Sequence, residues 1–136
     1  MKVYHPVRSH LPGVTLIEMS LVMFLLVALM STGLFFNTKI GEWRAGREAA
    51  ETLRGVYAAQ RLYLSDNPTA PVSGLTNAVL IPYLPNQLTT MPTVTSLANA
   101  TLTIKVTVSP PTINDGSGGN YDPSGNPKDS LWDVGE

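Results

Sequence analysis

The chain has 136 residues, nine basic and ten acidic side chains, a net charge of -1 and no cysteine. That length fits one domain, and the charge balance excludes a global basic field for nucleic acid. The missing thiols exclude a disulfide framework, a cysteine nucleophile and a thiolate zinc site. His5 and His10 both precede residue 13, and no glycine-rich phosphate loop or paired acid and base marks an active site. No enzyme is expected.

The prolines divide the chain. Pro6 and Pro12 come early, none falls between Gly13 and Asn67, and nine follow from Pro68 onward. This pattern predicts one long helix joined to a loop-rich head. Within the helix, residues 19–38 carry no charge. Twenty residues make about 30 Å of helix, the thickness of a bilayer core. The run reads as a membrane anchor, as a secretory signal with Ser31-Thr32-Gly33 at its cleavage site, or as a signal cut before the run. Lys2 and Arg8 flank one side, and Lys39, Arg44 and Arg47 the other. Counted alone, these cations lean towards a cytoplasmic C-terminal side.

Immediately before the run stands Leu11-Pro12-Gly13-Val14-Thr15-Leu16-Ile17-Glu18. A carboxylate at mid-helix in a bilayer costs about 2.5–3.5 kcal/mol, less near the interface. Glu18 therefore calls for a partner, and the helix supplies no intramembrane cation. Snorkelling to the headgroups is the other solution.

The segment resembles the class III signal of type IV pilins and type II secretion pseudopilins. The resemblance implies a leader, residues 1–13, that prepilin peptidase removes on the cytoplasmic side between Gly13 and Val14. It implies N-methylation of Val14, which stands where Phe or Met is commoner. Thr15, Leu16, Ile17 and Glu18 are then the assembly residues. Glu18 would pair with the free amine of Val14 in a neighbouring subunit. Loss of the leader removes Lys2 and Arg8 and leaves a net charge of -3.

Residues 14–38 are expected to form the membrane and polymerisation half of the helix, and 39–66 its amphipathic half. Trp43, Ala50, Leu53, Tyr57 and Leu64 share an apolar face. Arg44, Arg47, Glu51, Arg54, Ala58 and Arg61 form the opposite stripe, with Arg44–Glu48, Arg47–Glu51 and Glu51–Arg54 as expected ion pairs. Gly41, Gly46 and Gly55 are read as sites of curvature or close packing. Asp66-Asn67-Pro68 ends the helix.

Residues 67–136 are too few for an independent core and are expected to pack on the helix. Thr76 is expected to cap a short helical turn over 77–81, stopped by Pro82 and Pro85. The alternation of Leu102, Ile104, Val106 and Val108 with polar residues predicts a strand over 101–108. Residues 93–95 are a further candidate strand, 115–120 a flexible turn, and 121–123 with 131–134 a final hairpin. The expected class is α+β, a long N-terminal helix packed on a small antiparallel sheet head, pilin-like.

Asp122, Ser124, Asn126, Lys128, Ser130 and Asp133 have calcium-loop spacing, but Pro127 occupies the position that needs glycine, and Asp133 stands where Glu is needed. An EF-hand is not expected, and the segment reads as a turn-rich acidic hairpin. The resemblance implies calcium in a C-terminal loop, through Asp115, Asp122, Asp129 or Asp133. No other cofactor is expected.

The resulting expectation is a structural subunit of a periplasmic type II secretion pseudopilus. It would be anchored by a single pass in the inner membrane with its head in the periplasm. Its partners would be other pilin-like subunits, the prepilin peptidase, an inner-membrane assembly platform and the membrane, but not nucleic acid. The alternatives are a type IV pilus subunit for adhesion, motility or DNA uptake, and a membrane-anchored periplasmic module that does not assemble.

Overall fold

Proline is absent from residue 13 to residue 67, and Leu, Met, Ala, Glu and Arg are frequent there, so the backbone can propagate as helix without a break. The computed structural model describes Met1 and residues 13–135, and shows this stretch as a single helix, α1 (Leu16–Asp66). Most of the expected leader lies outside the described residues. The chain divides into two compact units, Met1–Thr38 and Lys39–Glu136.

In the first unit every described side chain is exposed, Phe24 at 75% and Leu34 at 70% among them. This stretch makes α1 long and apolar enough to cross a membrane. Its hydroxyls are satisfied within the helix. Ser20, Ser31, Thr32 and Thr38 each donate to a carbonyl oxygen one turn back, at 2.8–3.2 Å. Such back-bonding leaves no free hydroxyl donor to desolvate in an apolar medium. Ser31-Thr32-Gly33 causes no interruption of the helix.

In the second unit α1 ends at Asp66, where the Asn67 backbone N–H and side-chain amide both donate to the Tyr63 carbonyl. Its buried stripe differs from the expected one. Gly46, Ala49, Ala50, Leu53, Val56, Ala59 and Gln60 are buried, whereas Trp43 is 54% exposed and Tyr57 and Leu64 are only half-buried. The stripe is rich in small residues because the head approaches the helix backbone closely. A Cβ on Gly46 would lie 2.9 Å from Trp132 Nε1, and one on Gly55 would lie 3.3 Å from Pro85 Cγ. Gly41 has nothing within 4 Å of its missing Cβ. Close packing therefore explains Gly46 and Gly55.

The head begins with prolines that shape turns. Thr76 occupies the N-cap of α2 (Asn77–Leu80) but makes no side-chain capping bond. Pro82 does not stop the helical path. It sits in the first turn of a 3-10 segment, Ile81–Tyr83, where its missing N–H costs no hydrogen bond. Leu75, Leu80 and Leu84 point into the core.

The strands are short. β1 (Val94–Thr95) pairs antiparallel with β2 (Thr101–Leu102), and β3 (Ile104–Lys105) pairs antiparallel with β4 (Thr112–Ile113). The candidate strand over 93–95 is present as β1. The continuous strand expected over 101–108 is divided at Thr103, because its two halves pair with different neighbours. Beyond β3, Gln60 replaces a strand partner. Its Nε2 donates to the carbonyls of Val106 at 3.0 Å and Val108 at 2.9 Å. Gln60 is fully buried, and its Oε1 has no hydrogen-bond partner among the described residues.

The expected final hairpin is absent. Residues 121–135 instead form successive turns closed by side chains. Asp122 accepts the Ser124 N–H, Asn126 that of Lys128, Asp129 that of Leu131, and Asp133 that of Gly135. Asp and Asn side chains that capture the N–H two residues ahead compete with a strand ladder. This tail docks on α1. The Trp132 N–H donates to the Gly46 carbonyl at 3.1 Å, and Arg54 Nε donates to the Val134 carbonyl at 2.8 Å. Trp132 is 4% exposed and meets Tyr121 edge to face at 5.2 Å.

Gly46 and Gly41 should respond oppositely to an added side chain. Gly46→Val is expected to destabilise the head by about 1–3 kcal/mol through overpacking on Trp132. Gly41→Ala should stabilise the helix by about 0.5–1 kcal/mol. Denaturant titration of the full chain in detergent, followed by near-ultraviolet circular dichroism for the head and far-ultraviolet for the helix, checks both.

Candidate functional site

The sequence places the expected processing and assembly residues at 13–18, and the structure puts them at the start of α1. Gly13, Val14 and Thr15 precede the helix, and Leu16 opens it. Thr15 and Glu18 close a reciprocal cap. Glu18 N–H donates to Thr15 Oγ1 at 3.3 Å, while Glu18 Oε2 accepts from Thr15 N–H at 2.7 Å and from Thr15 Oγ1 at 3.0 Å. The first turn of a helix leaves backbone donors unpaired, and a Thr-x-x-Glu pair satisfies two of them together. The carboxylate also lies at the positive end of the helix dipole. Glu18 thus has a partner within its own chain, a neutral one. The sequence reading considered only cations and missed it, although Thr15-Leu16-Ile17-Glu18 carries the capping pattern. Leu16 and Ile17 lie outside this polar ring and are 89% and 76% exposed.

In the second unit, Arg44, Arg47, Glu51, Arg54, Ala58 and Arg61 are all exposed, as the spacing predicts. The expected ion pairs do not form. Lys39–Glu42, at 2.8 Å, is the one ion pair among the described residues. Exposed helical pairs contribute only about 0.3–0.5 kcal/mol, so other contacts readily displace them. Here Arg47 lies over the Trp43 ring at 5.6 Å and Arg61 over the Tyr57 ring at 5.8 Å, while Arg54 turns to the tail.

The aspartates of the head serve the backbone. Asp115 accepts from the N–H groups of Ser117 and Gly119, which closes the turn over 115–120. Hydrogen bonds from Ser117 hold its carboxyl below the usual value. Asp133 behaves oppositely. Burial pushes its carboxyl up against the lowering effect of the Gly135 N–H, and the charges of Asp129 and Asp122 add to the rise. Its Oδ2 is buried with no hydrogen-bond partner among the described residues. Among the described residues no group of three or more His, Asp or Glu is placed to hold a metal ion. The oxygens of Asp115, Asp122 and Asp129 accept from local N–H and hydroxyl groups.

No family model matches the chain, and no curated protein or solved structure matches it. The assignment of residues 13–18 to processing and assembly therefore rests on their own pattern.

Two outcomes follow from these contacts. Thr15→Val removes both cap hydrogen bonds of the hydroxyl and should cost about 1 kcal/mol of local helix stability. Faster amide exchange confined to the first turn would show it. Carboxyl titration by NMR should place the Asp133 midpoint above the unfolded value of about 3.9 and that of Asp115 below it. For Asp133 the folded state then binds the extra proton, so its contribution to stability falls as pH rises from about 3.9 through the raised folded value. The Asp115 contribution has the opposite sign. It is present above about 3.9 and is lost as pH falls through the lowered value.

Proposed function

We propose that this chain is a prepilin-like structural subunit that assembles through its N-terminal helix, in a type II secretion pseudopilus. The observation that carries the reading is the sequence Gly13-Val14-Thr15-Leu16-Ile17-Glu18 set directly against an uncharged run of twenty residues. Cleavage after Gly13 would free the amine of Val14 two residues before the helix begins. Glu18 would then exchange its Thr15 contacts for the charged amine of a neighbouring subunit. An ammonium–carboxylate contact in a low-dielectric layer is far stronger than the same contact in water, which gives the exchange its direction.

The unburied surface of residues 16–38 supports the same reading. Lipid can cover it in the single subunit, and the helices of other subunits can cover it in a filament. The head carries no cysteine pair and is short, which favours a pseudopilus over a surface-exposed pilus.

Co-expression with a prepilin peptidase tests the proposal. The expected product begins at Val14 and carries one added methyl group by intact mass, and Gly13→Val should retain Met1. A mature chain beginning at Leu34 would mark a secretory signal and overturn the reading. In the processed protein, Glu18→Ala should abolish crosslinked multimers while leaving membrane insertion intact. Undiminished multimers would overturn the role of Glu18 in assembly, and a processed parent chain that forms no multimers would identify a monomeric anchor.

A further inference from the structure

Just past the uncharged run, α1 carries a cluster that the filament reading does not use. Ile40 is 48% exposed and Trp43 54%, and Arg44 and Arg47 are exposed beside them. At about 100° per residue, Lys39, Ile40, Trp43, Arg44 and Arg47 fall within roughly 140° of helix surface. One face thus joins an indole, an aliphatic side chain and three cations. Lys39 is held by Glu42 at 2.8 Å. Among the described residues the two guanidinium groups have no ion-pair partner, although Glu48 and Glu51 follow them at helical spacing. Arg47 lies over the Trp43 ring at 5.6 Å. A guanidinium stacked in this way keeps its N–H edge available for a phosphate oxygen.

The position of the cluster in the chain selects its ligand. Trp43 follows the last uncharged residue, Thr38, by five positions. Five residues span at most about 18 Å in any conformation and about 7.5 Å as helix. The headgroup layer on each side of a bilayer core is roughly 5–8 Å deep. A chain that fills the core with residues 19–38 therefore brings Trp43 out in the headgroup layer, with the Arg44 and Arg47 backbones about 9 and 13.5 Å beyond Thr38 along the helix, from where their long side chains can reach back to the lipid phosphates. Tryptophan favours that boundary, and clustered cations there attract anionic lipid. A second copy of the chain is a poorer occupant. Its net negative charge resides in the head, where Asp115, Asp122, Asp129 and Asp133 already accept local backbone donors.

We infer that Trp43, Arg44 and Arg47, with Lys39 at their edge, form a binding site for the headgroup of an anionic phospholipid. Arg44 and Arg47 donate to the phosphate, and the Trp43 indole lies at the boundary between acyl chains and headgroups. The site would fix the depth at which the helix leaves the bilayer. This inference rests on the membrane-spanning part of the proposed function and not on assembly.

The test uses the full chain reconstituted from detergent into phosphatidylcholine vesicles that contain spin-labelled phosphatidylglycerol or spin-labelled phosphatidylcholine. Flotation establishes insertion, and the immobilised spin-label fraction gives the lipid preference. The parent chain should prefer phosphatidylglycerol by roughly fivefold or more at low salt, and the preference should fall as salt rises. The double variant Arg44→Gln, Arg47→Gln should bring the ratio close to one with unchanged helix content. The variant Arg44→Lys, Arg47→Lys should keep most of the preference. No preference in the parent, or a preference retained by the glutamine variant, overturns the inference. So does a glutamine variant that loses only self-association, which would assign the face to a second copy. A parent chain that does not float with neutral vesicles overturns the membrane-spanning reading as well.

Discussion

The head depends on close contact with one stripe of α1. Its two sheets consist of strands of two residues each, and such ladders do not persist without a packed face. The packed face is residues 46–60, where glycine and alanine replace bulkier side chains. Leu53 and Val56 are fully buried there, against Leu80, Ile104 and Ile113 in the same core. Small residues shorten the distance between helix and head, so that Trp132 can reach a backbone carbonyl on α1. The charged stripe opposite stays in solvent and contributes little to this core.

Much of the architecture was legible in the sequence. The proline gap marked α1, and Asp66-Asn67-Pro68 marked its end. The uncharged run marked the segment long enough to cross a membrane. The buried stripe was legible in part: Ala50 and Leu53 are buried as the spacing predicts, whereas Trp43 is exposed and Ala49, Ala59 and Gln60, which apolar periodicity did not mark, are buried. Packing followed size and fit instead. A buried glutamine is readable only when the carbonyls it serves are known, and those lie 46 and 48 residues away. Alternation over 101–108 correctly marked Ile104 and Val106 as inward. It carried no information on where the strand changes partners. The expected hairpin failed because turn-forming Asp122, Asn126, Asp129 and Asp133 suit both a hairpin loop and a series of turns in which each side chain takes the N–H two residues ahead.

The candidate site was legible as a motif but not as a contact. The residues at 13–18 stood out by resemblance, whereas the hydrogen bonds between Thr15 and Glu18 follow from general helix chemistry. Both descriptions apply to the same atoms. The cap satisfies a carboxylate that would otherwise be costly near lipid, and it uses neutral donors that a stronger partner can displace. Such a cap is compatible with the proposed assembly role, in which Glu18 would be satisfied before and after it meets another subunit.

The docking of the tail on α1 also orders events in time. Arg54 and Val134 are separated by 80 residues. A ribosome adding about 5–20 residues per second completes the helix surface several seconds before the segment that covers it. The helix forms from local contacts at once, while closure by Trp132 is among the longest-range steps in the chain. During that interval the groove at Gly46 is open. Synthesis thus leaves a nascent chain with an apolar stripe uncovered on the same helix as a segment long and apolar enough to cross a membrane.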